Sequence, residues 1–229
     1  MYLGTEFHRY WARGGAINVH PDDLPYLKKA HFMKDVLPCP FDGPLEHAKV
    51  VICLANPSYQ NVKDKASLNS LILAMRSGEE DLPDMFSDYY KRITGPLGEY
   101  SKDLQKLVAI FNVCPYASNT MDASAERMAA GLPSVWQAQQ YLRQVLIPRA
   151  QTGNIYLVII RKLQLWGVTE TASAFGNLRI ADGNARNGVM SKTLGEEIRN
   201  WILERHVMSD LKINVKNAEE LHTEVARQN

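Results

Sequence analysis

Three strand-length runs limit what this chain can fold into: KVVICLA at 49–55, KLVAIFNV at 106–113 and NIYLVII at 154–160. Each is apolar and rich in β-branched residues, and none alternates with polar positions. A strand of that kind is buried on both faces, which is the condition of a central strand in a parallel sheet. Helical patterns lie between and after the runs: ASLNSLILAM follows the first, DMFSDYYKRI precedes the second, and SVWQAQQYLRQVLIPRA separates the second from the third. In the last of these, Ser134 is placed to cap the helix, and Val135, Ala138, Leu142 and Val145 or Leu146 form an apolar face. A weaker strand, GNLRIA, precedes SKTLGEEIRNWILERHV, where Leu194, Ile198, Trp201, Ile202 and Arg205 recur at helical spacing, the arginine at the solvated margin. The expected fold is α/β, a three-layer sandwich around a central, largely parallel four-stranded sheet.

The 229 residues read as a single α/β domain, 1–229. Positions 1–47 form an extended lead-in with a short helix, held on the domain by Phe7, Tyr10, Trp11, Tyr26, Phe32 and Phe41, and the polar tail at 214–229 is expected to fray. With 26 basic and 25 acidic residues the net charge is +1, so there is no overall field to attract a phosphate polymer and any nucleic-acid site has to be local. The cysteines, Cys39, Cys53 and Cys114, are odd in number and lack CxxC spacing, which argues against a disulfide framework or a structural zinc site. No signal peptide or membrane-length apolar segment is visible, and the expectation is a cytoplasmic protein without a metal, a cofactor or a membrane partner.

Two of the strands run into asparagine. The first ends in Asn56 and Pro57, the second in Asn112, followed by Cys114, Pro115 and Tyr116. In open parallel sheets ligands bind beyond the carboxyl ends of the strands, so polar residues there are well placed for chemistry. If the strands are neighbours, about 4.8 Å apart, both carboxamides overlook one pocket. Asn-Pro-Ser is also a good turn sequence, and a strand-end asparagine often bonds to nearby backbone.

LANPSY resembles the first motif of the uracil-DNA glycosylase superfamily, in which a strand ends in Gly-x-Asp-Pro or Gly-x-Asn-Pro. IFNVCPYAS is similar to the later strand whose asparagine reads the extruded base, and PCPFDGPLEHAKVV resembles segments that precede the first motif in uncharacterised bacterial members. The resemblance covers 38–168 and extends further only by topology. It implies that Asn56 positions water against the anomeric carbon of the sugar, orienting it without acting as an ionised base, so that turnover would be slow or selective. It implies that Asn112 reads the pairing edge of a flipped base, one amide supplying both an acceptor and a donor. Tyr59 and Tyr116 would wall the pocket, a stacked aromatic contributing about 1–3 kcal/mol per base; for each, ordinary packing over the sheet end is the competing reading.

The chain also departs from the family. The His-Pro-Ser motif expected after the last strand is replaced by IADGNARNGVMS, and none of the six histidines lies between His47 and His206. A donor to the departing base is therefore missing from its expected place. Asn184, Arg186 and Lys192, with Arg179 nearby, are the candidate DNA contacts of that loop, which reads equally as a surface turn. Arg161 and Lys162 stand where many members have glycine. Three cysteines cannot supply the four ligands of the family's iron–sulfur branches. No glycine-rich phosphate loop, deaminase pattern or nucleophile elbow occurs, and HPDD at 20–23 reads as a capped turn. The implied partner is DNA, single- or double-stranded, or a nucleotide. The readings are a glycosylase-like protein that hydrolyses the base–deoxyribose bond, an inactive member that binds nucleic acid, nucleotide or protein, or an N-glycosidic enzyme acting on free nucleosides.

Overall fold

The computed structural model describes residues 7, 9–11, 18–27, 32–33, 35–59, 64–77, 88–98, 106–169, 176–180 and 189–205. The three apolar runs become β2 (Val50–Leu54), β3 (Val108–Asn112) and β4 (Tyr156–Ile159), and the weaker one becomes β5 (Leu178–Ile180). All four are parallel, in the spatial order β3-β2-β4-β5. Every residue of β2, β3 and β4 is buried, so both faces of the sheet are covered, as their lack of alternation requires.

Among the described residues the sheet has five strands where four were expected. The fifth is a two-residue edge, β1 (Phe41–Asp42), which pairs antiparallel with β3. It is too short for a periodic signal, and the glycine after it explains its closeness to β3. Gly43 sits at φ +94°, and a Cβ there would fall 2.6 Å from the Val108 carbonyl oxygen, a space that only glycine leaves open.

The helices are α1 (Lys65–Ser77), α2 (Asp88–Thr94), α3 (Ala123–Ala130), α4 (Pro133–Tyr141), α5 (Ile147–Gln151), α6 (Leu163–Trp166) and α7 (192–205). The sequence pattern marks no helix at α3, which is short and alanine-rich. Its one local signal is Asp122, whose side chain accepts from the Ser124 and Ala125 amides as an N-cap. The long helix expected from Ser134 begins one residue earlier, at Pro133, with Leu132 in the capping position, where its own side chain makes no capping bond. It then opens into a π-turn over Leu142–Leu146 before continuing as α5. Pro148 accounts for the opening: it has no N–H to donate and its ring presses on the preceding turn, which the wider π geometry accommodates.

Several of the lead-in aromatics among the described residues lie in the core. Phe7 stacks on Tyr141 with ring centroids 4.8 Å apart and meets Phe111 edge-on at 5.4 Å. Tyr10, Trp11, Phe32 and Phe41 are buried in the same core, whereas Tyr26 is 54% exposed and takes no part in it. The tail at 214–229 lies outside the described residues. Among the described residues no helix is long and apolar enough to cross a membrane.

Candidate functional site at the carboxyl edge of the sheet

β2 and β3 are neighbours in the register Leu54 opposite Asn112, so Asn56 lies two residues beyond the level of Asn112. Pro57 stops the ladder because it cannot donate. The two chains nevertheless stay zipped past the strand ends: the Val113 amide donates to the Leu54 carbonyl at 3.0 Å, Cys114 to Ala55 at 2.8 Å and Ser118 to Pro57 at 3.3 Å.

This closure gives the two asparagines different surroundings. Asn56 is half-buried, and its Nδ2 donates to the carbonyls of Pro57 (3.1 Å) and Tyr116 (3.2 Å) and to Ser118 Oγ (2.8 Å). Asn112 is fully buried; its Nδ2 donates to the Cys39 carbonyl at 3.1 Å, and its backbone amide donates to Pro40 at 2.8 Å. The segment around Cys39, whose own amide donates to the Pro115 carbonyl at 2.8 Å, covers the end of β3. The carboxamides thus come from adjacent strands, but each is engaged by its own set of partners.

Tyr59 and Tyr116 are 2% and 3% exposed, packed at the sheet end. Tyr116 has a further task. Its hydroxyl donates to Asp23 Oδ2 at 2.6 Å and accepts from the His20 amide at 3.1 Å, while Asp23 Oδ1 accepts from the Ser134 amide at 2.9 Å. Asp23 is fully buried and so caps α4 from a remote part of the chain. HPDD is indeed structural, but the helix it caps lies 111 positions away rather than next to it. The His20 ring stacks on Tyr10 at 4.0 Å; its Nε2 donates to the Tyr10 carbonyl and its Nδ1 accepts from the Asp22 amide, a pairing that fixes the tautomer. Burial, with Asp23 beside it, pushes the Tyr116 hydroxyl well above the usual phenol range, so it remains a donor. Burial also pushes the Cys114 thiol up to about 12 and Cys53 higher still, which leaves neither a nucleophile at neutral pH.

Chain direction defines a topological switch point between β2 and β4. From β2 the chain leads to β3 on one side, and from β4 it leads to β5 on the other, so the loops after β2 and β4 part company at this switch point, where open parallel sheets take ligands. Asn56 stands on one side of it, and Arg161 and Lys162 on the other. Arg161 is exposed. Lys162 adopts φ 56° and ψ 48°, the one non-glycine residue with positive φ among those described, and its ammonium pairs with Glu126 of α3 at 2.5 Å. The left-handed backbone costs about 1–2 kcal/mol, whereas a pair about one-quarter exposed on each side returns at most about 1 kcal/mol. Lys162→Gly is therefore expected to leave stability unchanged or to raise it by up to about 1 kcal/mol in urea unfolding; a loss above that size would show the ion pair to be the stronger term.

Of the other candidate contacts, Lys192 is exposed at the start of α7, and Arg179 pairs with Glu197 at 2.7 Å. Asn184 and Arg186 lie outside the described residues. Ser118, Glu126 and Asp23 carry geometry that the sequence did not single out as functional; Ser118 closes the IFNVCPYAS segment, two residues after Tyr116, but nothing in that segment assigns it a role. Among the described residues no cluster of three or more His, Cys, Asp or Glu side chains is arranged to hold a metal ion. Comparison of the chain with protein-family models, with curated proteins and with solved structures finds no match.

Proposed function

We propose that this protein is uracil-DNA glycosylase-like and binds a pyrimidine base, extruded from DNA or carried by a nucleotide, at the carboxyl edge of its sheet, with Asn56 as the polar group that meets it. The observation that supports this reading is Asn56 itself: a half-buried carboxamide at the sheet's switch point, held by three acceptors on its nitrogen. A group so fixed is preorganised, and orienting a base or a water costs it little further entropy. Arg161, exposed across the switch point, is placed to meet a phosphate.

Binding without hydrolysis is the second reading, and the departure from the family's final histidine motif favours it. Asn112 supports neither reading, because a base-reading amide has to reach its ligand and this one is fully buried against the Cys39 carbonyl. Arg161 and Lys162 are the cationic side chains that follow β4 there, and neither is a histidine.

The test is titration of the full chain with a labelled single strand carrying one uracil, beside the same strand with an abasic position, at low and moderate salt, followed by alkaline cleavage of the mixture. Binding of the uracil strand about three- to tenfold tighter, reduced to parity by Asn56→Ala, is expected; that is the worth of one neutral hydrogen bond. Base release above the Asn56→Ala background assigns hydrolysis, and binding with no abasic product assigns the second reading. Equal affinity for both strands would overturn the proposal.

A further inference from the structure

We infer that Arg143, Arg161 and Lys162 form a strip of cations along α6 that takes the phosphates of one nucleic-acid strand, with Glu126 holding the Lys162 ammonium until the strand displaces it. This rests on the reading above for its ligand. The two arginines bracket α6. Arg161 precedes it, and Arg143, carried on the π-turn, lies against Gly167 at the other end: a Cβ at Gly167 would fall 2.1 Å from Arg143 Nη2, so the guanidinium occupies the space that a side chain would need. α6 is a single turn, Leu163–Trp166, and a rise of 1.5 Å per residue sets Arg161 and Gly167 about 10 Å apart. Charges that close still reinforce one another in moderate salt. Both arginines are exposed, and among the described residues neither guanidinium has a hydrogen-bond or ion-pair partner. In a chain of net charge +1, cations left unneutralised at one place make a local field for a phosphate polymer.

Lys162 points the same way independently. Its left-handed backbone is a conformation that glycine adopts without strain, and an ion pair about one-quarter exposed on each side returns less than the strain costs. Folding alone therefore favours glycine at this position, and a strained side chain is retained where it has a task. The ammonium meets the Glu126 carboxylate of α3 at 2.5 Å, and water reaches both groups. A phosphate oxygen and a carboxylate oxygen are the same kind of partner for an ammonium, an anionic acceptor, so an arriving strand competes with Glu126 for Lys162. Arg143 and Arg161 supply the attraction that tips the exchange. Glu126 keeps the strained lysine in register before binding and weakens the strand's hold by the strength of the pair that is given up. Each phosphate contact releases counterions, so the strip adds salt-dependent affinity and leaves the choice of base to other groups.

Fluorescence anisotropy of the full chain with a labelled single strand, carrying one uracil or one abasic position, across a series of salt concentrations tests this. Three phosphate contacts give log affinity a slope of about −2 against log salt. Arg143→Ala and Arg161→Ala should each make the slope shallower by about 0.7, equally on both strands, and Arg143→Lys, which keeps the charge, should leave it unchanged. Glu126→Gln should tighten binding by up to about fivefold, a gain that disappears in the Lys162→Gln background. A slope that neither alanine variant changes would overturn the strip, and a gain from Glu126→Gln that persists without Lys162 would overturn the exchange. Displacement of the strand by an equal concentration of deoxyuridine monophosphate would show that the cations take a single phosphate and not a strand. Equal affinity for the two strands, with the slopes changed as expected, would sink the base-binding reading and leave the strip standing. Absence of binding at low salt would overturn both.

Discussion

Replacing Asp23 by alanine is expected to remove about 3–5 kcal/mol of folding stability. Asp23 is fully buried and bonds at both oxygens, to the Tyr116 hydroxyl at 2.6 Å and to the Ser134 amide at 2.9 Å. Alanine would leave a phenol and a helix-terminal N–H out of water with nothing to accept from them, and each such orphan costs about 1–3 kcal/mol. The Ser134 amide sits in the first turn of α4, where the helix dipole favours a carboxylate and adds to the loss. Urea unfolding measures the effect, and a deficit below about 1 kcal/mol would show that water or a rearranged lead-in takes the place of the carboxylate. Tyr116→Phe removes one of the two bonds while keeping the ring and should cost about 1–2 kcal/mol. In the double variant the two losses should fall short of additive, because each single change already breaks the bond they share.

The parts of the fold legible in the sequence are those written in local periodicity. Unbroken β-branched runs can only be strands covered on both faces, and β2, β3 and β4 are that. β5 is readable because LRI follows a glycine turn, and α1, α4 and α7 because their apolar residues recur at helical spacing. The features that shape the candidate site depend instead on contacts between distant positions. Asn112 meets the Cys39 carbonyl across 73 positions, Asn56 meets Ser118 across 62, and Asp23 meets Ser134 across 111. No window of the sequence contains both members of any of these pairs. The two strand-end asparagines do stand on adjacent strands, a pairing that the runs by themselves leave open, and the lead-in that folds over the end of β3 has no pattern to reveal it: a two-residue strand and an irregular segment carry no period. Ser134 shows the same limit at closer range. It looks like a helix cap by composition, but Pro133 fixes the helix start one residue earlier and a carboxylate from the lead-in does the capping.

Asn56→Asp is expected to destabilise the protein by about 2–4 kcal/mol at neutral pH and to produce no gain in base release, although a carboxylate is the stronger group for activating water. The reason lies in what surrounds the nitrogen that the substitution replaces. Pro57, Tyr116 and Ser118 present oxygen lone pairs at 2.8–3.2 Å, a shell that an NH2 group satisfies and an ionised oxygen opposes. Ser118 could turn its proton to the new carboxylate only by abandoning the Thr120 carbonyl, and the two backbone carbonyls have no proton to offer. Partial burial and the facing acceptors both disfavour the charged form, so the introduced carboxyl has a pKa in the folded state above its value in the unfolded chain. The sign of the pH dependence follows. Below the unfolded pKa the acid is neutral in both states and the ionisation penalty is absent; it grows as pH rises and is complete above the folded pKa, so the gap between variant and wild type should widen from acid to neutral pH. Asn56→Ala, which leaves the acceptors unfilled but introduces no charge, should cost less and show no such slope. An Asn56→Asp protein as stable as the wild type at neutral pH, or one that releases uracil faster, would mean that the acceptor shell yields to a carboxylate. In that case the asparagine would be a weakened form of an acid site, and not, as its neighbours argue, a residue selected for the amide it carries.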